Sequence, residues 1–271
     1  MQSAGSDKLI SVIIPVYIKT EEGLGWLREA AESVLAQTTG CVRLILADDG
    51  SPVSIGPLLK DLPGDTVYFR NSRNLRQAGA RQKGVEAASG DICAFLDQDD
   101  VWKKDYLEKQ LAVMEEKQAD MVFCDPEFVT VGGADSPVLR MDRSGLPEES
   151  SFLSLFLRGN YVISFSGAVI KKQALLAAGG MDVRYTSMDD YDLFLKISER
   201  GRVIHNAAPL YRYRIHPGAA NRSVRLYGDS RLLMSLYLGH FKKSSAGEKR
   251  AMAPRLIKKA LALVYYGIFN K

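Results

Sequence analysis

Three carboxylates stand at the end of one apolar run. Ile92 to Trp102 reads Ile-Cys-Ala-Phe-Leu-Asp-Gln-Asp-Asp-Val-Trp, which crowds Asp97, Asp99 and Asp100 together. Like charges this close repel one another unless a cation or a bound group offsets them. Oxygen ligands with no Cys or His among them favour Mg or Mn over Zn, and a hard ion held by few carboxylates completes its shell from substrate phosphates. The competing reading is an acidic surface turn that caps the helix beginning near Lys103, since Asp is a common loop and cap residue. A second acidic group, Asp189-Asp190-Tyr191-Asp192, opens a later helical stretch. There too a helix cap is the plain alternative, because acids suit a helix N-terminus electrostatically.

The elements that must position these acids are legible from pattern. Ile92 to Leu96 is short, almost wholly apolar and preceded by the turn pair Ser89-Gly90, so it reads as a buried strand. Its carboxyl end, where the acids lie, is the edge at which open α/β sheets bind ligands. Leu9 to Pro15 and Val42 to Ala47 are two more apolar strands, the second leading into Asp48-Asp49-Gly50-Ser51-Pro52, a turn. Between them Leu27, Ala30, Ala31, Val34 and Leu35 recur at helical spacing within Leu24 to Gln37. A short helix at Ile55 to Leu62, a strand at Thr66 to Phe69 and a helix at Ala78 to Ala88 complete a β-α-β series. Such connections are right-handed and give a mostly parallel, doubly wound sheet.

Beyond Trp102 the pattern predicts a helix at Asp105 to Glu116, a strand at Met121 to Cys124 and a long loop from Asp125 to Glu149. Order returns at Phe152 to Leu157 and Ile163 to Ile170, then a helix from Lys172 stops at Gly179-Gly180. Val203 to His205 and Leu210 to Ile215 are strand-like, and His216-Pro217-Gly218 turns the chain into its tail.

At 271 residues the chain fits one large α/β domain with a C-terminal annex, divided at about residue 221. The first part splits into a half of about 9–100, whose order of strand, helix, strand, then acid is the pattern of nucleotide binding, and a second half of about 101–221. Cys41, Cys93 and Cys124 lie in or beside apolar runs, which predicts buried thiols in a reducing compartment. Met1 to Lys8 lacks a signal-peptide core, and Ala260 to Phe269 is too short to span a bilayer. From Arg222 onward eleven Lys or Arg face only Asp229 and Glu248, whereas the rest of the chain has an acidic excess. Arg255 to Phe269 sets Ile257, Leu261, Val264 and Ile268 at helical spacing, which suits either a helix on anionic lipid or one packed on the catalytic body. Two nucleotide-binding motifs fail: Gly23-Leu24-Gly25 lacks a third glycine, and Val85 stands where the P-loop spacing of Gly79 to Gly84 needs a lysine.

What survives is an ordered set of pieces: Ser11 to Tyr17, Ala47 to Ser51, Asn74 to Gly84, Phe95 to Trp102, Gly179 to Asp182, Asp189 to Leu193 and Tyr211 to His216. Together they resemble the inverting glycosyltransferases of family two, with the GT-A fold, over about Leu9 to His216. The resemblance implies that Pro15, Tyr17 and Asp49 line the nucleobase pocket with Asp48 beside them, and that Arg81 lies near the diphosphate. It implies Asp97 near the ribose or sugar, a metal on Asp99 or Asp100, with His216 within reach of the metal or diphosphate, and Asp190 as catalytic base. Departures are Ile18 where Asn is frequent, Arg76 where Gly is usual, Gln82 where Asn commonly follows the Arg, and Asp189 in place of Glu.

The expected function is therefore Mn- or Mg-dependent, inverting transfer of a single sugar, most simply from a UDP-sugar, to a hydroxyl of a glycan or lipid-linked glycan. The processive synthases' Gln-x-x-Arg-Trp motif is absent. A cytoplasmic protein is expected, with the basic tail as a route to the inner face of the cell membrane and no nucleic-acid partner. Two rivals are a nucleotidyltransferase on a related fold, disfavoured because Pro15-Val16-Tyr17 replaces a glycine-rich loop, and a nucleotide-sugar-binding protein without turnover.

Overall fold

The computed structural model describes residues 8–39, 41–131, 138–139, 142–185, 188–216 and 226–269. Its organising strand is β1 (Leu9–Val16), buried along nearly its whole length because both faces are covered by apolar layers. Alternation divides it: Ile10, Val12, Ile14 and Val16 join one hydrophobic cluster, and Ile13 joins the other. β2 (Cys41–Asp48), β3 (Val67–Arg70) and β4 (Ile92–Phe95) run parallel to it in the order β3-β2-β1-β4. The helices between them are α1 (Glu21–Leu35), α2 (Gly56–Asp61) and α3 (Arg76–Ala87). α1 starts where the Thr20 hydroxyl accepts from Gly23 N at 3.1 Å, a side-chain cap for an otherwise orphaned donor. α3 lies so close to β1 that a Cβ on Gly84 would sit 2.3 Å from the Ile13 Cγ2 methyl, so only glycine fits there.

The sheet changes direction beyond β4. After β5 (Val101–Trp102), α4 (Tyr106–Glu116), β6 (Met121–Thr130), β7 (Val138–Leu139), β8 (Glu149–Ser150) and α5 (Phe152–Arg158), the chain makes a 3-10 turn at Phe165–Gly167. It then enters β9 (Ala168–Lys171), which runs antiparallel between β4 and β6. α6 (Lys172–Ala177), α7 (Asp189–Ser198) and β10 (Val203–Ile215) follow. Among the described residues the result is one sheet ordered β3-β2-β1-β4-β9-β6-β10-β5, with β7 on β6 and β8 on β10.

Three expectations are corrected. β6 runs on to Thr130 and pairs with β10, so Asp125 to Thr130 is strand and not loop; residues 132–137 and 140–141 of the expected loop lie outside the described residues. The two strand-like pieces at Val203 and Leu210 are one strand with register shifts on either side of Pro209, as expected where proline cannot donate to the ladder. Cys41 is exposed at the start of β2, whereas Cys93 and Cys124 are buried as expected.

The annex is α8 (Leu226–Lys243) and α9 (Ala246–Phe269). It packs on the body through buried Leu236, Tyr237, Met252 and Leu256, which belong to the same cluster as Phe156 and Phe194. His240 faces Glu199 at 2.9 Å and Asp192 at 3.4 Å, fixing α8 to α7. Ile257 and Leu261 on α9 stay exposed, at 60% and 65%. No described helix is long and apolar enough to cross a membrane.

Candidate active site

The loop after β4 is held from both sides, and each of its residues has its own partner. Asp97 N donates to Ser166 Oγ at 3.0 Å, and Asp100 N donates to the Asp97 carbonyl at 3.1 Å, closing a tight turn. Gln98 clamps the end of β1, accepting from Tyr17 N at 2.7 Å and donating to the Tyr17 carbonyl at 3.3 Å. Asp99 Oδ2 lies 2.9 Å from His216 Nε2, whose ring rests against Trp26. Asp100, by contrast, is 2% exposed and turned inward. Ser166 Oγ donates to its Oδ2 at 2.6 Å and Arg214 N to its Oδ1 at 3.0 Å. Burial first, then Asp99 and Asp97, push its carboxyl well above the usual range.

This geometry bears on the metal expectation in two ways. A histidine does stand beside the acids, delivered from 117 positions away. Asp99 and His216 offer an oxygen and a nitrogen side by side, with Asp99 a quarter exposed, and so fit as two ligands of a divalent ion. Asp100 does not fit, because it is sealed at 2% exposed with both oxygens turned to protein donors. Among the described residues no group of three metal-type side chains forms a closed site.

Arg81 occupies a place that the sequence did not reveal. Its guanidinium is 3% exposed and lies 4.5 Å above the Phe165 ring. Nη2 pairs with Asp97 Oδ1 at 2.5 Å and Nη1 with Asp189 Oδ2 at 2.9 Å. Burial alone would lower its pKa; the fields of Asp97 and Asp189 outweigh that and hold it protonated. It thus ties the β4 loop to the first turn of α7, whose N-cap is Met188, so Asp189 serves the arginine and is not the cap. Gln82, the next residue, accepts from Met181 N at 3.0 Å and steadies the glycine turn before α7.

Asp190 follows immediately. Tyr191 N donates to its Oδ1 at 2.7 Å and Asn160 Nδ2 to its Oδ2 at 3.0 Å. Burial, then the neighbouring charge of Asp189, pushes its carboxyl up to about 7. It opens on a pocket of about 390 Å³ lined also by Asn160, Ile163, Tyr237, Arg255 and Lys259. The two acidic clusters act on common neighbours: Arg81 feels Asp97, Asp189 and Asp190. The Tyr213 hydroxyl is pushed up by burial and then by Asp100, Asp97, Asp99 and Asp190.

At the other edge, Pro15 is buried in β1 beside Ala47, and Tyr17 follows half-buried with Lys19 Nζ 5.3 Å from its ring centre. Asp48 is fully buried and saturated by Gly50 N, Ser51 N, Ser51 Oγ, Tyr68 Oη and Arg70 Nη1. It therefore shapes the turn, and no acceptor site on it is left for a ligand. Asp49 receives Asn71 Nδ2 at 2.9 Å and Leu75 N at 2.7 Å on Oδ1, while Oδ2 has no partner among the described residues. Ile18, where the family usually has Asn, is buried and donates its N–H to Ser51 Oγ.

Gln98 and Trp26 carry no sequence signal of the places they take. Only the Ser- and Gly-rich character of Ile163 to Ile170 pointed toward Ser166.

The carboxyl edge of the parallel strands is thus joined through a buried arginine to a second acidic helix start. Residues 11–175 match the family described as Glycosyl transferase family 2, and the chain belongs to that family. The amylovoran biosynthesis glycosyltransferase AmsB of Erwinia amylovora is 32% identical over 225 residues, covering 76% of this chain and 70% of AmsB. An uncharacterized glycosyltransferase of Rickettsia felis is 40% identical over 111 residues, 41% of this chain; that match spans only 18% of the relative's length. The fold matches the crystal structure of S. aureus TarS 1-349 in complex with UDP-GlcNAc, with TM-score 0.72 and 16% identity over 93% of this chain and 72% of that one.

Proposed function

We propose that the protein is a divalent-metal-dependent, inverting transferase that moves one sugar from a nucleotide-diphosphate sugar, UDP-linked, to a hydroxyl of a glycan or lipid-linked glycan. The observation that carries this reading is the Asp97–Arg81–Asp189 bridge, which sets the β4 carboxylates beside Asp190 and its pocket. The UDP-GlcNAc bound by TarS on the same fold supports the donor class.

In the proposed reaction the acceptor hydroxyl oxygen forms a bond to the anomeric carbon as the bond from that carbon to the diphosphate oxygen breaks. The electron pair leaves with the diphosphate and the proton passes to Asp190. A carboxyl near pH 7 suits that task, because a base works best when its pKa lies close to the operating pH. Asn160 and Tyr191 N hold the carboxylate in one orientation, so acceptor positioning contributes to rate as well. Asp49 Oδ2 is available to accept from a nucleobase N–H, and Tyr17, next to the Val16 carbonyl that accepts from Asp49 N, offers a ring for stacking. Asp48 supports that wall through its turn. Arg81 acts on the donor through Asp97, which it orients, and its buried guanidinium takes the place of the diphosphate contact expected from the sequence.

Asp99 and His216 would hold the metal. When bound, a divalent ion supplies stabilisation of the negative charge that develops on the leaving diphosphate. The exposed Ile257 and Leu261, with Lys258 between them, support contact of α9 with an anionic membrane surface.

The test is UDP release from a panel of UDP-sugars with Mn or Mg, comparing the natural chain with Asp190→Asn and Asp99→Ala. Turnover undiminished in Asp190→Asn would remove the proposed base.

A further inference from the structure

We infer that the pocket beside Asp190 takes an acceptor bearing an oxyanion, phosphate or carboxylate, and that the C-terminal annex supplies its recognition. The inference rests on the transferase reading above and names the acceptor class for the same site.

The pocket has two chemically different sides. Asn160 and Asp190 come from the body, whereas Tyr237, Arg255 and Lys259 come from α8 and α9. Arg255 is fixed in place: Nε and Nη2 donate to Tyr237 Oη at 3.2 and 2.9 Å, and Nη1 donates to the Leu157 carbonyl. All three of these contacts are to neutral acceptors, and among the described residues its guanidinium has no carboxylate partner. Lys259 is half-buried one turn later on the same helix face, and no ion pair or hydrogen bond engages it among the described residues. The acid that lines this pocket, Asp190, already accepts from Asn160 and Tyr191 N.

Elsewhere the annex behaves differently. His240 on α8, which packs the annex on α7, sits between Asp192 and Glu199. Arg255 and Lys259 are instead held at a concave surface whose lining acid, Asp190, already accepts from Asn160 and Tyr191 N. A guanidinium whose orientation is already fixed gives charge-assisted hydrogen bonds to an oxyanion with little further ordering. Such a pair also offsets the repulsion an anionic acceptor would meet on approaching the carboxylates of the two clusters.

The test titrates the full chain, its donor site first saturated with UDP so that phosphate cannot enter there. The probes are a methyl hexoside, a hexose 1-phosphate and a hexuronic acid, followed by calorimetry or ligand-observed NMR. An anionic probe is expected to bind about tenfold more tightly than the neutral one, the scale of a hydrogen bond to a charged group. The phosphate and carboxylate arms separate a glycosyl phosphate from an acidic sugar. Lys259→Met should remove most of that preference, while Arg255→Lys, which keeps the charge but loses the fork, should weaken it. Equal affinity for neutral and anionic probes, or a preference that survives Lys259→Met in a folded variant, overturns the inference. If UDP itself does not bind, the donor reading fails separately, and the anion preference is read in its absence by the same two variants.

Discussion

Two acidic clusters, Asp97-Gln98-Asp99-Asp100 after β4 and Asp189-Asp190-Tyr191-Asp192 at the start of α7, look alike as strings, yet the structure divides the labour within each. In the first, Asp100 is sealed against Ser166 and the Arg214 backbone, while Asp99 stays partly exposed beside His216. In the second, Asp189 is spent on Arg81 and Asp192 faces Lys196 and His240, while Asp190 opens on a pocket. Asp100 and Asp190 each accept one hydrogen bond on each oxygen, so exposure separates them: Asp100 is 2% exposed and sealed, whereas Asp190 faces a pocket. Counting acids therefore overstates a site, and accounting for their partners and their access reduces it to the members that can act.

The comparison breaks most visibly at Asp190. Asp190→Asn keeps the hydrogen-bonding shape but cannot take a proton, so transfer should fall by about 10²–10⁴-fold, the usual share of a positioned base. UDP affinity by calorimetry should stay unchanged; loss of both together would mean that Asp190 serves the fold. Next in size is the link between the clusters. Arg81→Met leaves Asp97 and Asp189 close together and unpaired, and breaking a buried pair in this way costs about 3–5 kcal/mol. Thermal unfolding should show a large loss, and Arg81→Lys should not restore it, because an ammonium cannot serve both carboxylates in a fork.

Within the first cluster the two neighbours should separate. Asp99→Asn should weaken Mn or Mg activation by about 10–100-fold, read as a shift of the metal titration. Asp100→Asn can still accept from Arg214 N and can turn its amide toward Ser166 Oγ, so it should cost about 1 kcal/mol of stability and leave the metal titration in place. Equal metal shifts in both variants would erase the distinction drawn between them. The second cluster carries the pH signature. A base that must be ionised loses activity as protons bind, so kcat/KM should be flat above the Asp190 pKa of about 7 and fall about tenfold per pH unit below it. That limb should vanish from the residual activity of Asp190→Asn.

The frame was legible because β1, β2 and β4 are nearly all apolar, broken only by Ser11 and Arg43, and are closed by Pro, Gly or Asp. β6 was legible only to Cys124. Asp125, Pro126 and Glu127 interrupt its pattern, but Asp125 is satisfied by Arg143 and His205, and Glu127 by Lys103. Those partners come from other parts of the chain, and no local pattern announces them. Arg81 was visible as a residue and invisible as a bridge for the same reason: Asp189 lies 108 positions away. The annex shows a third limit. An apolar stripe on a basic helix has the same period whether it meets lipid or protein, and only the burial of Met252 and Leu256 distinguishes the packed face from the exposed Ile257 and Leu261.

The smallest expected effect tests whether the nucleotide edge is set as tightly as its carboxylates suggest. Arg76, where the family usually has Gly, has φ of +61° at the start of α3. Its neighbour Leu75 donates its N–H to Asp49, and Asn74 donates to the Asp49 carbonyl and accepts from Arg76 N, so the strained residue closes the turn that orients Asp49. A left-handed L-residue costs about 1–2 kcal/mol, and glycine relieves it while adding about 0.5–1 kcal/mol of unfolded-state entropy. Arg76→Gly should therefore raise Tm by about 2–4 °C at most. If the turn is rigidly specified by Asp49 and Asn74, UDP affinity will not change. A fall in affinity would show that the arginine side chain, and not the backbone alone, belongs to the donor edge.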